Sequence, residues 1–466
     1  MSSYGRRGVV RPLGFGMAAL LMASACGGQE ANPTEAVAEE MLEVEPLSQD
    51  LGAGEVSAAA QSSLRTRWAR RIGTGRLDEG RHVAVDAQGN VVTAVERKQA
   101  PDEYTEVPVA VDLVKFNPNG TRQWTRSFVP VPTAENPNPA ASIGALAVVE
   151  GTGDVLLGGS SSGSINLAGQ VLTGGEFLAR LTADGNLVWA RNTRPEPFTG
   201  FTFESFAVGR DPYFYAATFF SDSRPVPWES NIMVIKYSIA TGLPEWSKMI
   251  APGYGGMDVT SPKSIAVDDL GNRIVISART TYDAGGDGRL YALDDQGRSL
   301  WTWTTTAPTS SDFPYSGSVD SVTVARGTVV ASVRTPADFT FNGRAYPKGN
   351  YVLAYVADSG AELWAREQSS TSSVSARGEE VLAAGSGDAS RSLWVTKLNR
   401  RDGSLLNARV IQAPADSPAS TVRVLDAAIG ADGQSVVSGA FVGPFDFGTG
   451  PLNSRERDAF VVRLRR

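Results

Sequence analysis

From about residue 65 onward the chain is built of short runs in which apolar and polar residues alternate, broken by small polar turns. The clearest run is Phe177 to Asn192, FLARLTADGNLVWARN. Phe177, Ala179 and Leu181 alternate with polar neighbours, Ala183-Asp184-Gly185-Asn186 makes a turn, and Leu187, Val188 and Trp189 follow. Alternation bounded by Asp-Gly predicts a β-hairpin. The same unit recurs around Trp124, Trp246, Trp301 and Trp364, and a sixth copy carries Asn407 where the others carry Trp. Two halves remain. Asp458 to Leu464 reads as the first strand of the unit with no turn after it, and Thr66 to Arg71, around Trp68, reads as the second strand with nothing before it. They complete each other as a seventh hairpin, closed in space rather than in sequence.

A second element precedes each hairpin. His82 to Ala94 is a strand, a turn and a strand, matched closely by Ser264 to Ile276 and more loosely at 146–159, 206–219, 322–333, 374–385 and 425–439. Each repeat therefore supplies four strands. Seven four-stranded units at this period predict an all-β, seven-bladed β-propeller over 65–466. Pairing of the N-terminal strand with the C-terminal blade closes the ring and hides the edges of an open sheet. The inner strands are expected to be short and rich in Val, Ala and Ile. The short turns should share one face. The long connections, including 96–109, 160–176, 335–350 and 442–457, should share the other, which is where a partner is expected.

The first residues read differently. Arg6, Arg7 and Arg11 precede a short apolar segment, Leu13 to Met22, and then Ala23-Ser24-Ala25-Cys26. That segment is too short for a stable membrane span and has the layout of a cleaved signal, assigned to 1–25. Cys26 is the sole cysteine, so no intrachain disulfide forms. From Gly27 to Leu64 there are eight acids and no Lys or Arg. Residues 26–64 are therefore expected to be an acidic, solvated tether. Of the net charge of −7, the first segment carries +3 and the acidic one −8, which leaves the remainder nearly neutral. No nucleic-acid partner is expected from such a balance.

Two resemblances follow from these residues. Ala23-Ser24-Ala25-Cys26 resembles the lipobox of bacterial lipoproteins, although Ala23 stands where that family prefers Leu. It implies acylation of Cys26 and a membrane partner reached through that lipid. Gly27 is not the Asp that marks inner-membrane retention, so the resemblance implies the outer membrane. Tyr237 to Trp246, with its Ala240-Thr241-Gly242 turn, and Val356 to Trp364 resemble the PQQ-like propeller repeat. Residues 163–181 and 443–464 resemble the SBBP-type propeller repeats of bacterial surface proteins. Among lipoproteins this suggests an analogy with the PQQ-like propeller subunit of the outer-membrane protein assembly machinery, with seven units here against its usual eight.

Candidate chemistry is sparse. His82 is the sole histidine and alternates with Val83 and Val85, which suits a structural or rim position. No His/Cys cluster suits zinc, copper or haem, and no nucleophile-elbow motif accompanies His82. The quinoprotein dehydrogenases that carry PQQ-like repeats use an adjacent cysteine pair, absent here. Asp283 to Gly288 lacks the spacing of a calcium loop. The recurring Asp86, Asp184, Asp268 and Asp358 suit turns, where the carboxylate bonds nearby backbone N–H groups. The Trp series suits packing between blades. No catalytic residue, metal site or cofactor is assigned. The expected function is a non-enzymatic binding or scaffold module on an outer-membrane lipoprotein, in the periplasm or at the cell surface, with a protein or polysaccharide partner. The alternative is a carbohydrate- or quinone-handling enzyme using carboxylates in the central channel.

Overall fold

The middle strands of each repeat are apolar on both faces. In Val91-Val92-Thr93-Ala94-Val95 every residue is buried. A strand with no solvated face must sit in a sheet packed on both sides. The computed structural model meets that demand with radially stacked sheets. It describes residues 64–465 apart from 76, 101–105, 194–199, 210–211, 222–229, 252–258, 269–272, 283–284, 306–316, 342 and 418. The segment assigned as signal, Cys26 and nearly all of the acidic segment lie outside the described residues.

The chain opens with β1 (Arg65–Ile72). Blade 1 follows as β2 (Leu77–Val85), β3 (Val91–Gln99), β4 (Val107–Phe116) and β5 (Arg122–Phe128). Blade 2 is β6 (Ala141–Val148) and β7 (Val155–Ser161), a small inserted hairpin β8 (Ile165–Leu167) and β9 (Gln170–Leu172), then β10 (Gly175–Leu181) and β11 (Leu187–Asn192). Blade 3 is β12 (Gly200–Val208), β13 (Tyr213–Ser221), β14 (Ser230–Ser238) and β15 (Pro244–Ala251). Blade 4 is β16 (Val259–Val267), β17 (Ile274–Tyr282), β18 (Gly285–Leu293) and β19 (Ser299–Thr304). Blade 5 is β20 (Ser318–Ala325) and β21 (Thr328–Thr335), a second inserted hairpin β22 (Phe339–Phe341) and β23 (Arg344–Tyr346), then β24 (Gly349–Val356) and β25 (Glu362–Gln368). Blade 6 is β26 (Ser373–Arg377), β27 (Glu380–Ser386), β28 (Ser392–Asn399) and β29 (Leu405–Gln412). Blade 7 is β30 (Thr421–Ile429), β31 (Ser435–Asp446) and β32 (Pro451–Arg465), completed by β1.

Within each blade the strands pair antiparallel in chain order. A single parallel bridge, Ser230 to Val259, links the sheets of blades 3 and 4. Closure is as the repeat pattern predicts: β1 runs antiparallel to β32, from Arg65 opposite Arg465 to Ile72 opposite Ala459. The core consists of seven apolar wedges, one between each pair of neighbouring blades. Three of the long connections are themselves hairpins, at β8–β9, β22–β23 and the far ends of β31 and β32. Their apolar residues Ile165, Phe339 and Phe445 are driven into the adjacent wedges.

The outer strands explain the Trp series. Trp68, Trp124, Trp189, Trp246, Trp301 and Trp364 each donate the indole N–H to a backbone carbonyl in the third turn of the next blade, at Pro118, Ala183, Ile239, Asp295, Ala357 and Arg400, over 2.8–3.2 Å. The ring then lies against that turn's glycine. Gly120, at φ 78°, would place a Cβ 2.6 Å from the Trp68 ring, so both its backbone and its neighbour exclude a side chain. Two residues after four of these Trp, an Arg reaches the same turn: Arg70 to the Gly120 carbonyl at 2.7 Å, Arg126 to Gly185 at 2.7 Å, Arg191 to Thr241 at 2.7 Å and Arg366 to Gly403 at 3.2 Å. Asn407 now has a physical reason. It faces blade 7, where β32 and β1 pair without being joined in sequence, so no third turn is there to receive an indole. Its companion Arg409 is kept and donates instead to the Leu64 carbonyl at 3.1 Å.

The inner strands differ from expectation. They are not short: β2, β12, β16 and β30 each span nine residues. The first half of β2, Leu77-Asp78-Glu79-Gly80-Arg81, is largely polar, whereas β12 and β30 already bury Phe201, Phe203, Val422 and Val424 there, and a β-bulge then interrupts the alternation. In β2 the apolar pattern marks just the second half of the strand.

Candidate functional site

The bulges organise the channel. Among the described residues, six of the seven inner strands shift register at the same point, and the extra residue is Arg81, Gly144, Glu204, Lys263, Asp320 or Leu425. A bulge re-aims side chains locally. Here the bulged residues other than Gly144, with those just after them, surround a cavity of about 350 Å³ on the axis. Each inner strand begins on the long-connection face, and the bulge lies near its middle, so the cavity is lined from mid-strand toward the short turns. A second cavity of about 640 Å³ lies toward the short-turn face, lined by Glu150, Arg326, Arg377 and Glu380. There Arg377 of blade 6 pairs with Glu150 of blade 2.

The residues after the bulge form a floor that joins blade to blade. Ser205 Oγ accepts the Ile265 N–H at 3.2 Å, Ser321 Oγ that of Val374 at 3.2 Å, and Ser373 Oγ that of Ala427 at 3.1 Å. Ser264 Oγ donates to the Val322 carbonyl at 3.2 Å. Between blades 7 and 1 the acceptor is Asp426, whose carboxylate takes the Val83 N–H at 2.9 Å, its own blade's Ala427 N–H at 2.8 Å and the Ser373 hydroxyl at 3.1 Å. Between blades 1 and 2 it is Glu96, which accepts the Ile143 N–H at 3.0 Å. Between blades 2 and 3 Gly144 lies directly against the Phe203 carbonyl, leaving no room for a Cβ.

Burial shifts the ionisable members of this floor. It raises the Asp426 carboxyl to about 6, against the lowering effect of its three hydrogen bonds. It pushes the His82 imidazole down to about 4, with neighbouring Arg81 adding to the fall and a bond to the Ile143 backbone opposing it. His82 is thus neutral near pH 7, and its Nε2 is buried without a hydrogen-bond partner among the described residues.

The rim above the floor is charged: Arg81 in blade 1, Glu204 in blade 3, Lys263 in blade 4 and Asp320 in blade 5. Burial raises the Glu204 carboxyl, and Lys263, Thr202 and Arg81 oppose the rise. Arg81 lies 3.6 Å from Glu96 and 3.9 Å from Glu79, and Asp320 lies 3.7 Å from Arg334. Glu79 belongs to a neighbouring network in which Lys98 at 2.7 Å and Arg457 at 3.0 Å hold its carboxyl below the usual range.

Of the residues singled out in the sequence, His82 lines the cavity, as its rim or structural reading allows. Asp86 does the turn work expected of it, accepting the Gln88 and Asn90 N–H groups at 3.1 and 2.7 Å, and also pairs with buried Lys115 at 3.3 Å. Asp358 pairs with Arg273 at 2.5 Å. Asp283 lies outside the described residues. Among the described residues no three His, Cys, Asp or Glu side chains group as metal ligands. Glu204, Lys263, Asp320 and Asp426 went unnoticed in the sequence. Their one signal is position, three residues or fewer ahead of an inner-strand Val, Ile or Phe.

Fold and site together define a class: a seven-bladed β-propeller with a polar axial cavity. Residues 233–443 match the PQQ-like family described as outer membrane protein assembly factor BamB. Comparison with curated proteins gave no match. Among solved structures the chain is similar to the polysaccharide lyase Uly1, at 13% identity over 83% of this chain and 90% of that one, with a TM-score of 0.47. It is also similar to the Hadza microbial sialidase Hz136, at 11% identity over 77% and 67% and a TM-score of 0.41. A third likeness is to Kluyveromyces lactis Hsv2, at 8% identity over 65% and 74% and a TM-score of 0.35.

Proposed function

We propose that this propeller is a non-enzymatic binding module of the bacterial envelope, held at the outer membrane by a lipid on Cys26. The observation that carries the reading is the channel floor. Ser205, Ser321, Ser373 and Asp426 are each engaged by a neighbouring blade's backbone, and Ser264 donates to one. Side chains held this way fix the ring and have little capacity left to move protons or attack a substrate. The family match to an outer-membrane assembly factor over 233–443 supports the envelope setting. The long-connection face, with its three hairpins, is the surface offered to a protein or polysaccharide partner.

The test is photo-crosslinking of the intact protein in membranes. A crosslinker at exposed Val171, on β9, is expected to capture one defined partner, while crosslinkers at Asp184 and Asp402, on the short-turn face, capture none. Equal capture from both faces, or none from either, removes the binding-module reading. Cys26→Ser is expected to release the protein from detergent-dependent membrane fractions. Retention there with a processed N-terminus removes the lipid anchor from the proposal.

A second reading, an enzyme working in the channel, is favoured by one observation. Glu204 faces the cavity with its carboxyl raised by burial, a property that general acids share. Turnover of a carbohydrate or quinone that is lost in Glu204→Gln would establish it.

A further inference from the structure

The rim charges are less engaged than the floor beneath them. Lys263 is exposed and makes no hydrogen bond or ion pair among the described residues. Glu204 accepts one hydrogen bond, from Thr202 Oγ1 at 3.2 Å. Arg81 and Asp320 have opposite charges at 3.6–3.9 Å, beyond hydrogen-bonding distance. Among the described residues none of the four pairs directly with another. Yet they lie around one cavity with signs that alternate in chain order: plus at Arg81 in blade 1, minus at Glu204 in blade 3, plus at Lys263 in blade 4 and minus at Asp320 in blade 5.

A ligand entering this ring must answer both signs. A simple anion would leave Glu204 and Asp320 facing it with like charge, and a simple cation would do the same at Arg81 and Lys263. Like charges brought together in a partly desolvated site oppose binding. A neutral polyol could bond to these charged groups but would neutralise none of them, and the floor hydroxyls are already engaged between blades. The complementary ligand carries an ammonium and a carboxylate at once. The cavity volume is in the range of pockets that take small molecules.

We propose that the rim of the axial cavity binds a small zwitterion of amino-acid chemistry, its ammonium held by Glu204 and Asp320 and its carboxylate by Lys263 and Arg81. This deepens the binding-module reading and rests on it. The source is a free amino acid or a short peptide, and the test separates the two.

Calorimetric titration of the full-length protein with L-glutamine and with L-alanyl-L-alanine is the measurement, with glucose, acetate and methylamine as controls. At least one zwitterion is expected to bind saturably in the millimolar range or tighter, and the three controls at least about tenfold more weakly. Tighter binding of glutamine assigns a free amino acid, and tighter binding of the dipeptide assigns a peptide. Glu204→Gln and Lys263→Gln are each expected to weaken that binding about tenfold, with melting temperatures unchanged at these rim positions. The double variant Glu204→Lys with Lys263→Glu should recover part of the loss, because a zwitterion can turn around in a ring whose signs are exchanged. If Glu204→Gln lowers the melting temperature, Asp320→Asn takes its place in the series. The proposal is overturned if neither zwitterion binds, if acetate or glucose binds equally well, or if both single variants bind as the parent does. Partner capture at Val171 should persist in Glu204→Gln. Its loss would count against the wider binding reading, whereas its persistence without zwitterion binding overturns this proposal alone.

Discussion

The outer belt and the axial channel of this propeller solve the same problem, joining one blade to the next, in opposite ways. On the belt the joint is repeated with little change: an indole N–H, a turn carbonyl and a turn glycine under the ring, at six of the seven junctions. In the channel the equivalent position is occupied by His82, Ala145, Ser205, Ser264, Ser321, Ser373 and Asp426, and the bulged residue before it by Arg, Gly, Glu, Lys, Asp or Leu. Uniformity follows where the requirement is geometric alone. At the belt each ring must fill the same gap, and a large buried aromatic contributes more than any alternative. In the channel the backbone and a small acceptor are enough to close the joint, which leaves the bulged residue free to differ. The belt therefore carries the architecture, and the rim carries whatever distinguishes this chain from another propeller.

The largest way to break the belt is to remove its one spatial joint. Deleting 458–466 takes the partner of β1 away and exposes an edge of β31. Unpaired backbone groups and the apolar faces of two wedges are then uncovered together. Loss of cooperative unfolding, or aggregation, is expected by calorimetry. Melting within a few degrees of the parent would mean that β1 does not close the ring in solution.

Single joints come next. Trp364→Ala is expected to destabilise by about 3–5 kcal/mol, because it empties a buried ring site and strands the Arg400 carbonyl. Asn407→Ala, at the same position one blade later, should cost about 1 kcal/mol or less, since no turn depends on it. Chemical denaturation of the two variants tests the contrast, and equal losses would undo it. The comparison sharpens in a circular permutant that joins Arg465 to Arg65 through an Asn-Gly turn. That turn gives blade 7 the receptor it lacks. Asn407→Trp should then stabilise, whereas in the parent chain it should not. The coupling between the new turn and the new Trp is expected to be about 1–2 kcal/mol.

How much of this was legible in the sequence follows the same division. The Trp, the Asp-Gly turns and the apolar second halves of the inner strands repeat, so seven blades and their closure could be read from spacing. Even the exception at Asn407 was visible, although its reason needed the position of the chain ends. The rim was not legible. Glu204 and Lys263 sit in stretches that read as the ends of polar connections, Phe201-Thr202-Phe203-Glu204 and Thr260-Ser261-Pro262-Lys263. The bulge shifts the alternation by one residue, so a strand that continues through them shows no period of two. The ring of Ser205, Ser264, Ser321 and Ser373 has the same cause. A lone serine before an apolar pair carries no signal until four of them face one axis.

The smallest expected effect on the parent protein lies in how the channel responds to acid. Asp426 and Asp78 both have carboxyls raised by burial to about 6, Asp78 with Asp458 and Asp112 adding to the rise and its Thr74 bonds opposing it. A raised carboxyl contributes stability that is present at low pH and lost as pH rises through its folded value, so lowering the pH from 7 to 5 should return about 1 kcal/mol from each. His82 acts in the opposite sense. Its folded value of about 4 lies below the unfolded one near 6.5, so its contribution is present above that range and fades as pH falls. Over the same interval it should remove about 2 kcal/mol, because the unfolded chain takes up a proton that the folded channel refuses. Glu204, also raised by burial, adds to the gain, so the parent protein should melt at the same or a slightly higher temperature at pH 5 than at pH 7. His82→Asn removes the opposing member, and its stability should rise by about 2 kcal/mol on the same acidification. Asp426→Asn removes one of these gains, so that variant should lose stability relative to the parent as the pH falls. The paired acids do not disturb the comparison, since Glu79 is held below its ordinary range and titrates below this window. Melting curves of the three proteins at pH 7, 6 and 5 decide the matter, and parallel curves for all of them would show that neither group titrates as its burial in the channel requires.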